Sequence, residues 1–566
     1  MANLGYAKKL RTREEVASHI ARFEAIQNQD RLSQRDTVEQ LGIPRSTLQE
    51  WLKRRDRIDS DPQLISFFES PVGVAFLHRL IIAAHFVLTF LSPSGIRLVS
   101  IFIELTGLDH FVAVSYGAQQ KVSVQIEETV TSFNSEEIRR LSENMHPRKI
   151  TVVEDETFHP ETGLVGIDAV SNFIVLEKYA SGRKAKDWTS ALNEALAGMP
   201  VEVIQSTSDE AKGILHHVQK DMGAHHSPDL FHVRHELAKA TSIALSGKTK
   251  QAEKAVEKAN CALEKKLEQK NAWFAKEHGP GRPPCFDKQI AESQTSLAEA
   301  EIQMETACEL QSKAREVIRG IGNDYHPYDL ETGKPRDARI ISSALESHFT
   351  EIEMVAAQAG LADRCIQKIE KAKRVTVHMI ATIAFFFLTI KAKVEALSLP
   401  SDVEQIVYNV LIPGIYLELA ASKASRAAER RKLKRTSEVI LEQALTPESV
   451  FQRLEREDRL VVMKVAKECA EVFQRSSSAV EGRNGQLSLH HHGIHRIRDR
   501  NLSALTTVHN FFIERQDNTT AAERFFNQKP RDLFQYVLDR VDIPGRPAQK
   551  RPQKNNGITS IIKEMM

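Results

Sequence analysis

The sequence predicts an α+β or α/β protein: a mixed sheet split by a large all-helical insertion and preceded by a helix-turn-helix unit. Three observations carry this. Short β-branched runs begin at Lys149, more than 200 residues after Lys239 have helical texture, and the first 60 residues alternate amphipathic runs with turn residues. A chain of 566 residues has room for about two to four folding units. The expected divisions are 1–60, 61–147, 148–239, 240–465, 466–545 and a basic tail at 546–566.

In the first unit, Thr12 to about Gln27 is an amphipathic run, and Ser33 stands in an N-cap position before a second helix. Gly42 supplies the tight turn, after which Ile43, Leu48, Trp51 and Leu52 form the apolar side of a third helix. In a helix-turn-helix the second helix of the pair enters the major groove by its N-terminal side chains, here Arg45, Ser46, Thr47 and Gln49. Lys53, Arg54, Arg55 and Arg57 would meet phosphates. A plain helical hairpin with a solvated basic end is the competing reading. A weaker second copy follows, with a helix at Ile96 to Leu105, a turn at Thr106-Gly107-Leu108 and a possible reading element at Val114 to Lys121.

From Lys149 the texture changes. Ile150 to Val153, Gly163 to Val170, Asn172 to Tyr179 and Val201 to Ile204 read as strands, and Ala185 to Leu196, carrying Trp188, reads as a helix. Three strands, a helix, a strand and another helix is the order of the ribonuclease H-like fold. Lys248 to Lys276 and Ile290 to Arg319 then read as two long helices joined by the Gly279 to Pro284 tip. The tail, Arg546 to Asn556, is rich in Pro and Lys and is expected to be disordered.

Composition sets bounds. Hydrophobic residues make up 41% and charged residues 27%, which suits a folded globular chain. With 77 Lys and Arg against 75 Asp and Glu, net charge does not point to nucleic acid; only local clusters can. Cys261, Cys285, Cys308, Cys365 and Cys469 form no Cys-x-x-Cys pair, so neither a zinc ribbon nor a disulfide framework is expected, and a reducing cytoplasm suits them. No secretory leader is apparent at the N-terminus. The apolar runs Gly73 to Leu91 and Met379 to Ile390 are interrupted or short against the roughly 20 residues a membrane span needs, so buried helices and no membrane association are expected.

The chemistry rests on acids. Asp155 and Glu156 follow the first strand, and Asp209 follows a later one 54 residues on, so two carboxylates can project from neighbouring strand ends. Phosphoryl transfer needs oxygen ligands that hold magnesium and leave positions open for phosphate and nucleophile. A third acid must come from a helix beside the sheet. Glu481, preceded by the small polar run Ser476 to Ser478, is the candidate, which makes the helical region an insertion within the catalytic fold.

At these residues the chain resembles bacterial insertion-sequence transposases with a DDE triad. The Asp155-Glu156 pair, the Ser208-Asp209 strand end, the Pro228-Asp229-Leu230-Phe231-His232-Val233 block and the Glu481-Gly482-Arg483-Asn484 block occur in that family's order. The resemblance covers roughly Ile150 to His235 and Phe473 to Phe526, and the helical insertion is similar to that of hAT-type transposases. It implies that Asp155, Asp209 and Glu481 hold two Mg2+ or Mn2+ ions, with Glu156, Asp229 and His232 supporting the site. It also implies double-stranded DNA partners, both element ends and target, and a homo-oligomer that holds two ends together. Arg483, Asn484, Arg496 and Arg498 are expected at the DNA. The chain lacks the N-terminal zinc motif of many relatives, and His490 to His492 stand where basic residues are more usual.

Those histidines, with His225, His226 and His495, could also suggest zinc, but consecutive histidines on a helix point apart and no cysteine is near. The basic run Lys423 to Arg435 is a further phosphate-contact candidate. Two other functions stay open: a ribonuclease H-like nuclease that does not join strands, and a non-catalytic DNA-binding scaffold whose three acids lie far apart.

Overall fold

The structure is a computed structural model that describes residues 12–30, 33–54, 60–159, 161–277, 279, 282–474, 478–493, 497–515 and 517–545. Helices predominate around one small mixed sheet, an α+β architecture.

The N-terminal unit has the three helices expected, Arg13–Asp30, Gln34–Leu41 and Arg45–Arg54. The Ser33 hydroxyl accepts from the Asp36 amide, and Gly42 turns the chain at φ 62°, the left-handed region where a missing Cβ removes the steric penalty. Val16, Ile20, Phe23, Val38, Ile43, Leu48 and Trp51 bury against one another as a separate core.

Residues 61–147 divide their apolar side chains between two cores. Leu77, Ile81, Val99 and Ile103 form a local cluster, whereas Ile82, Phe86, Val122, Ile126 and Phe133 enter the core of the sheet. Gly107 does turn the chain, at φ 72°. In the proposed reading element, however, Gln119 is buried, its Oε1 accepting from His85 Nε2 at 2.7 Å and its Nε2 donating to the Ala113 carbonyl at 2.6 Å.

The sheet consists of β1 (Arg148–His159), β2 (Glu161–Asp168), β3 (Ile174–Ala180), β4 (Val201–Ser208) and β5 (His225–Pro228), in the order β3-β2-β1-β4-β5. The first three strands form an antiparallel meander; β4 runs parallel to β1, and β5 runs parallel to β4. β1 is longer than its β-branched run because β2 pairs with it as far as His159↔Glu161, while its ladder with β4 stops at Val153↔Thr207. Asp155 and Glu156 therefore lie inside the strand, correcting the expectation that they end it. β5 was not expected. His-His-Ser-Pro has little intrinsic strand preference, and proline is tolerated there because the strand is short and at the edge.

Alternation assigns the two faces. Ile150 and Val152 face the helix Ala185–Leu196 and its fully buried Trp188. Val153, Val165, Ile167 and Ile174 face the opposite way and cover Val480 of the helix Ser478–Gly493. The helix Asp499–Phe511 guards the β3 edge, where Asn510 accepts from the Ile174 amide at 2.9 Å and donates to its carbonyl at 3.0 Å.

The insertion opens with Leu230–Phe274, 45 residues, and Phe286–Asp324, 39 residues, packed as a hairpin, and it has a large core of its own. Its helix Asp363–Glu395 docks on β5: His225 stacks on Phe385 at 4.4 Å, and His225 Nε2 lies 3.1 Å from the Thr382 hydroxyl. Pro71–Leu91 and Asp363–Glu395 are long and apolar enough to cross a membrane by length and composition. In this fold, Leu77, Ile81, Ile82 and Phe86 of the first and Met379, Ile383, Phe386 and Ile390 of the second are buried in protein cores.

Trp188 is 0% exposed between the sheet and its helix, so Trp188→Ala leaves a cavity that the surrounding layers cannot close. We expect a loss of about 3–5 kcal/mol, measured by chemical denaturation.

Candidate active site

The register of the parallel ladder positions the first two acids. Val153 pairs with Thr207, so Asp155 and Asp209 each stand two residues past the last rung and share the face of Val153. The third acid arrives on the helix packed against that face. Val480 is 0% exposed and anchors the helix, Glu481 follows it, and Asn484, one turn on, donates from Nδ2 to Asp155 Oδ2 at 3.2 Å.

These acids are coupled electrostatically. Burial pushes Asp155 up to about 7; the Glu156 amide, donating to Oδ1 at 2.9 Å, opposes this, and repulsion from Asp209, Glu481 and Asp229 adds to it. Asp209, Glu481 and Asp229 are thus all within electrostatic reach of one desolvated carboxyl. Asp209 accepts from the Ala211 amide at 3.1 Å, and Asp229, 4% exposed, caps the helix Leu230–Phe274 by accepting from the Phe231 amide at 2.8 Å. A cleft joins Asp209 and Asp229 to the exposed His232 and to Lys368 and Lys371 of the helix Asp363–Glu395.

Other expected site residues are elsewhere. Glu156 points to the opposite face, as strand alternation requires; its carboxylate pairs with Arg183 at 3.1 Å and receives Trp188 Nε1 at 3.5 Å. It secures a helix and does not support the acids. Arg483 is a second correction. Its guanidinium is buried and bidentate on Glu177, at 2.8 and 2.6 Å, and Glu177 also accepts from the Thr506 hydroxyl, so Arg483 locks the helix to the sheet and is not exposed to DNA. Asn484, by contrast, stays at the acids, half-buried and donating to Asp155. Arg45, Ser46, Gln49 and Lys53 are exposed and Thr47 is half-buried, with Gln49 reaching Gln34 at 3.4 Å. Arg498 is exposed at the start of Asp499–Phe511; Arg55 and Arg496 lie outside the described residues, as does the side chain of Arg54.

The histidine run divides. His490 is buried, His491 Nε2 sits 3.3 Å from the Tyr179 hydroxyl, and His492 is exposed. The structure makes a different grouping: one ligand atom each from Glu210, His226 and His378 lie within 4.8 Å of one another. His378 Nδ1 is 2.5 Å from Glu210 Oε1. Lys368, Lys371, Val375 and His378 recur at helical spacing, so their common face was readable, but nothing in the sequence said which surface that face would meet.

Residues 407–553 match the profile of a family of unknown function, DUF6399. The match takes in the end of the insertion and the helix that carries Glu481. No curated protein and no solved structure matches the chain.

Two outcomes follow from the site. The neutral acid of Asp155 is favoured by folding, so the stability it contributes is fully present below the ordinary carboxyl value of 3.8 and is lost as the pH rises through about 7. In metal-free buffer, raising the pH from about 5 to about 8 should therefore lower the Tm of the wild type more than that of Asp155→Asn; parallel curves would refute this. Arg483→Met strands the Glu177 carboxylate, whose side chain is 1% exposed, and should cost about 3–5 kcal/mol in urea denaturation. A variant that folds as stably as wild type but loses DNA affinity would return Arg483 to the DNA.

Proposed function

We propose that this protein is a DNA transposase that cleaves and joins DNA strands of a mobile element through Asp155, Asp209 and Glu481. The observation that carries the reading is the gathering of these acids: two at the open end of the β1/β4 ladder, and one returning on a helix after the whole insertion. The strand order β3-β2-β1-β4-β5, with three antiparallel strands and two parallel ones, supports a ribonuclease H-like core.

The donor set fits hard divalent cations. Burial disfavours the Asp155 carboxylate and the charges of Asp209, Glu481 and Asp229 add to that, a cost that a cation would remove. Asn484 Oδ1 is buried without a hydrogen-bond partner while its Nδ2 holds Asp155, which leaves an oxygen acceptor unused at the site. Asp155, Asp209 and Glu481 would hold two Mg2+ or Mn2+ ions, which when bound supply Lewis acidity toward a phosphodiester and acidify coordinated water.

The chain's own residues do the rest. Asn484 fixes the Asp155 carboxylate, and Asp229 ties the start of the insertion to the strand ends. Lys368 and Lys371 bring positive charge to the same cleft, where a phosphate of double-stranded DNA would meet it. The exposed Arg45, Ser46 and Gln49 offer the N-terminal part of a helix to a major groove, and Lys53 adds positive charge at its other end. Holding two element ends for joining calls for more than one copy, so the working form is a homo-oligomer on DNA, in the cytoplasm. The separate N-terminal core suits a module that binds ends without sharing the catalytic core.

Asp155→Ala, Asp209→Ala and Glu481→Ala should each cut cleavage of labelled element ends by about 10²–10³-fold or more, while gel-shift affinity for those ends persists. Any of the three that still cleaves at the wild-type rate removes that residue from the proposed triad. Joined products with a target plasmid distinguish a transposase from a nuclease, which gives cut ends alone.

A further inference from the structure

We propose that Glu210, His226 and His378 form a transition-metal site, suited to Zn2+, that fastens the insertion to the end of β4. This site is separate from the three acids and does not depend on their role. Glu210 follows β4, His226 lies in β5, and His378 comes from the insertion helix Asp363–Glu395, so the ligands converge from three segments. One ligand atom from each lies within 4.8 Å of the other two, close enough for a single ion to draw them together.

The hydrogen bonds around His226 favour one tautomer. The Ser208 hydroxyl donates to the Asp209 carbonyl at 3.0 Å, which uses its one hydrogen. With that hydrogen so placed, His226 Nε2, 3.0 Å from Ser208 Oγ, carries the ring hydrogen and donates it to the hydroxyl oxygen. Nδ1 is left with a lone pair, and that atom is buried without a partner in a side chain only 3% exposed. A buried, oriented and unshared imidazole lone pair, held by an outer hydroxyl, is the arrangement of a metal-ligating histidine. A ring serving only as packing would leave that nitrogen's desolvation uncompensated.

The remaining donors agree. The Glu210 carboxylate and His378 imidazole share a hydrogen at 2.5 Å, which metal binding would release to solvent, and their side chains are 26% and 38% accessible, so an ion has a route in and a fourth position can be taken by water. Two imidazoles and one carboxylate favour Zn2+ over Mg2+, whose preference is for oxygen. The His226 and His378 rings approach edge to face with centroids 6.1 Å apart. Binding would join the helix bearing Lys368 and Lys371 rigidly to the strand end that carries Asp209.

The test uses full-length, tag-free protein in excess Mg2+, titrated with Co2+ as a spectroscopic substitute and assayed for bound Zn2+ after dialysis. The wild type should take up one Co2+ with the visible absorption of a low-symmetry four-coordinate site, and Zn2+ should displace it and raise Tm. His378→Ala, at a partly exposed position that tolerates the change, should lose that equivalent and the Tm rise, and Glu210→Gln should weaken both. Asp155→Asn with Glu481→Gln should keep them, which separates this site from the three acids. Metal held by the 490–492 histidines would persist in His378→Ala. If wild type and His378→Ala bind equal amounts of Zn2+, including none, the site does not exist.

Discussion

The contact on which the candidate site depends is apolar. Val480 enters a pocket of Val153, Val165, Ile167 and Ile174 on one face of the sheet, and this small cluster seats the helix that brings Glu481 and Asn484 to Asp155. The buried Arg483–Glu177 pair fixes the same helix in rotation, since a bidentate guanidinium tolerates little turning about the helix axis. Hydrophobic burial supplies most of the docking energy, and the ion pair supplies orientation. The acids can then repel one another without dispersing, because the elements that carry them are held elsewhere.

This division of labour extends through the sheet. On β1, even-numbered Glu154 and Glu156 turn toward structural partners, His217 and Ser206 for one and Arg183 and Trp188 for the other, while odd-numbered Asp155 turns toward the other acids. Three consecutive acidic residues thus have opposite fates decided by the period of a strand. Burial also raises the Asp168 and Glu471 carboxyls, but at Asp155 it coincides with repulsion from the acids of two other segments and of a returning helix.

The insertion is more than a detour between the second and third acids. It has its own core, yet its helix Asp363–Glu395 leans on β5 and presents Lys368, Lys371 and His378 toward the strand ends. The cleft beside Asp209 is therefore built jointly by the sheet and the insertion. Any movement of that helix would alter the positive charge in the cleft and the surroundings of the acids together.

Much of this organisation was legible in order along the chain. Ser33, Gly42 and the apolar spacing of Leu48 and Trp51 specified the N-terminal helices, because caps, turns and helical periodicity are local. The β-branched runs marked four strands, and the helix Ala185–Leu196 was delimited by its own pattern. Asp155, Asp209 and Glu481 could be singled out by their neighbours, and they do share one region. What the sequence could not contain was the outcome of pairing and packing. β5 exists because β4 offers it a parallel ladder, and β1 reaches His159 because β2 zips beside it; neither follows from intrinsic preference. Arg483 had the composition of a DNA contact and became a buried clamp once Glu177 was placed opposite it, from 306 residues away. Glu210, His226 and His378 met only through the docking of a distant helix, for the same reason: local propensity acts over a few residues, whereas the partner of a buried polar group is chosen by tertiary packing.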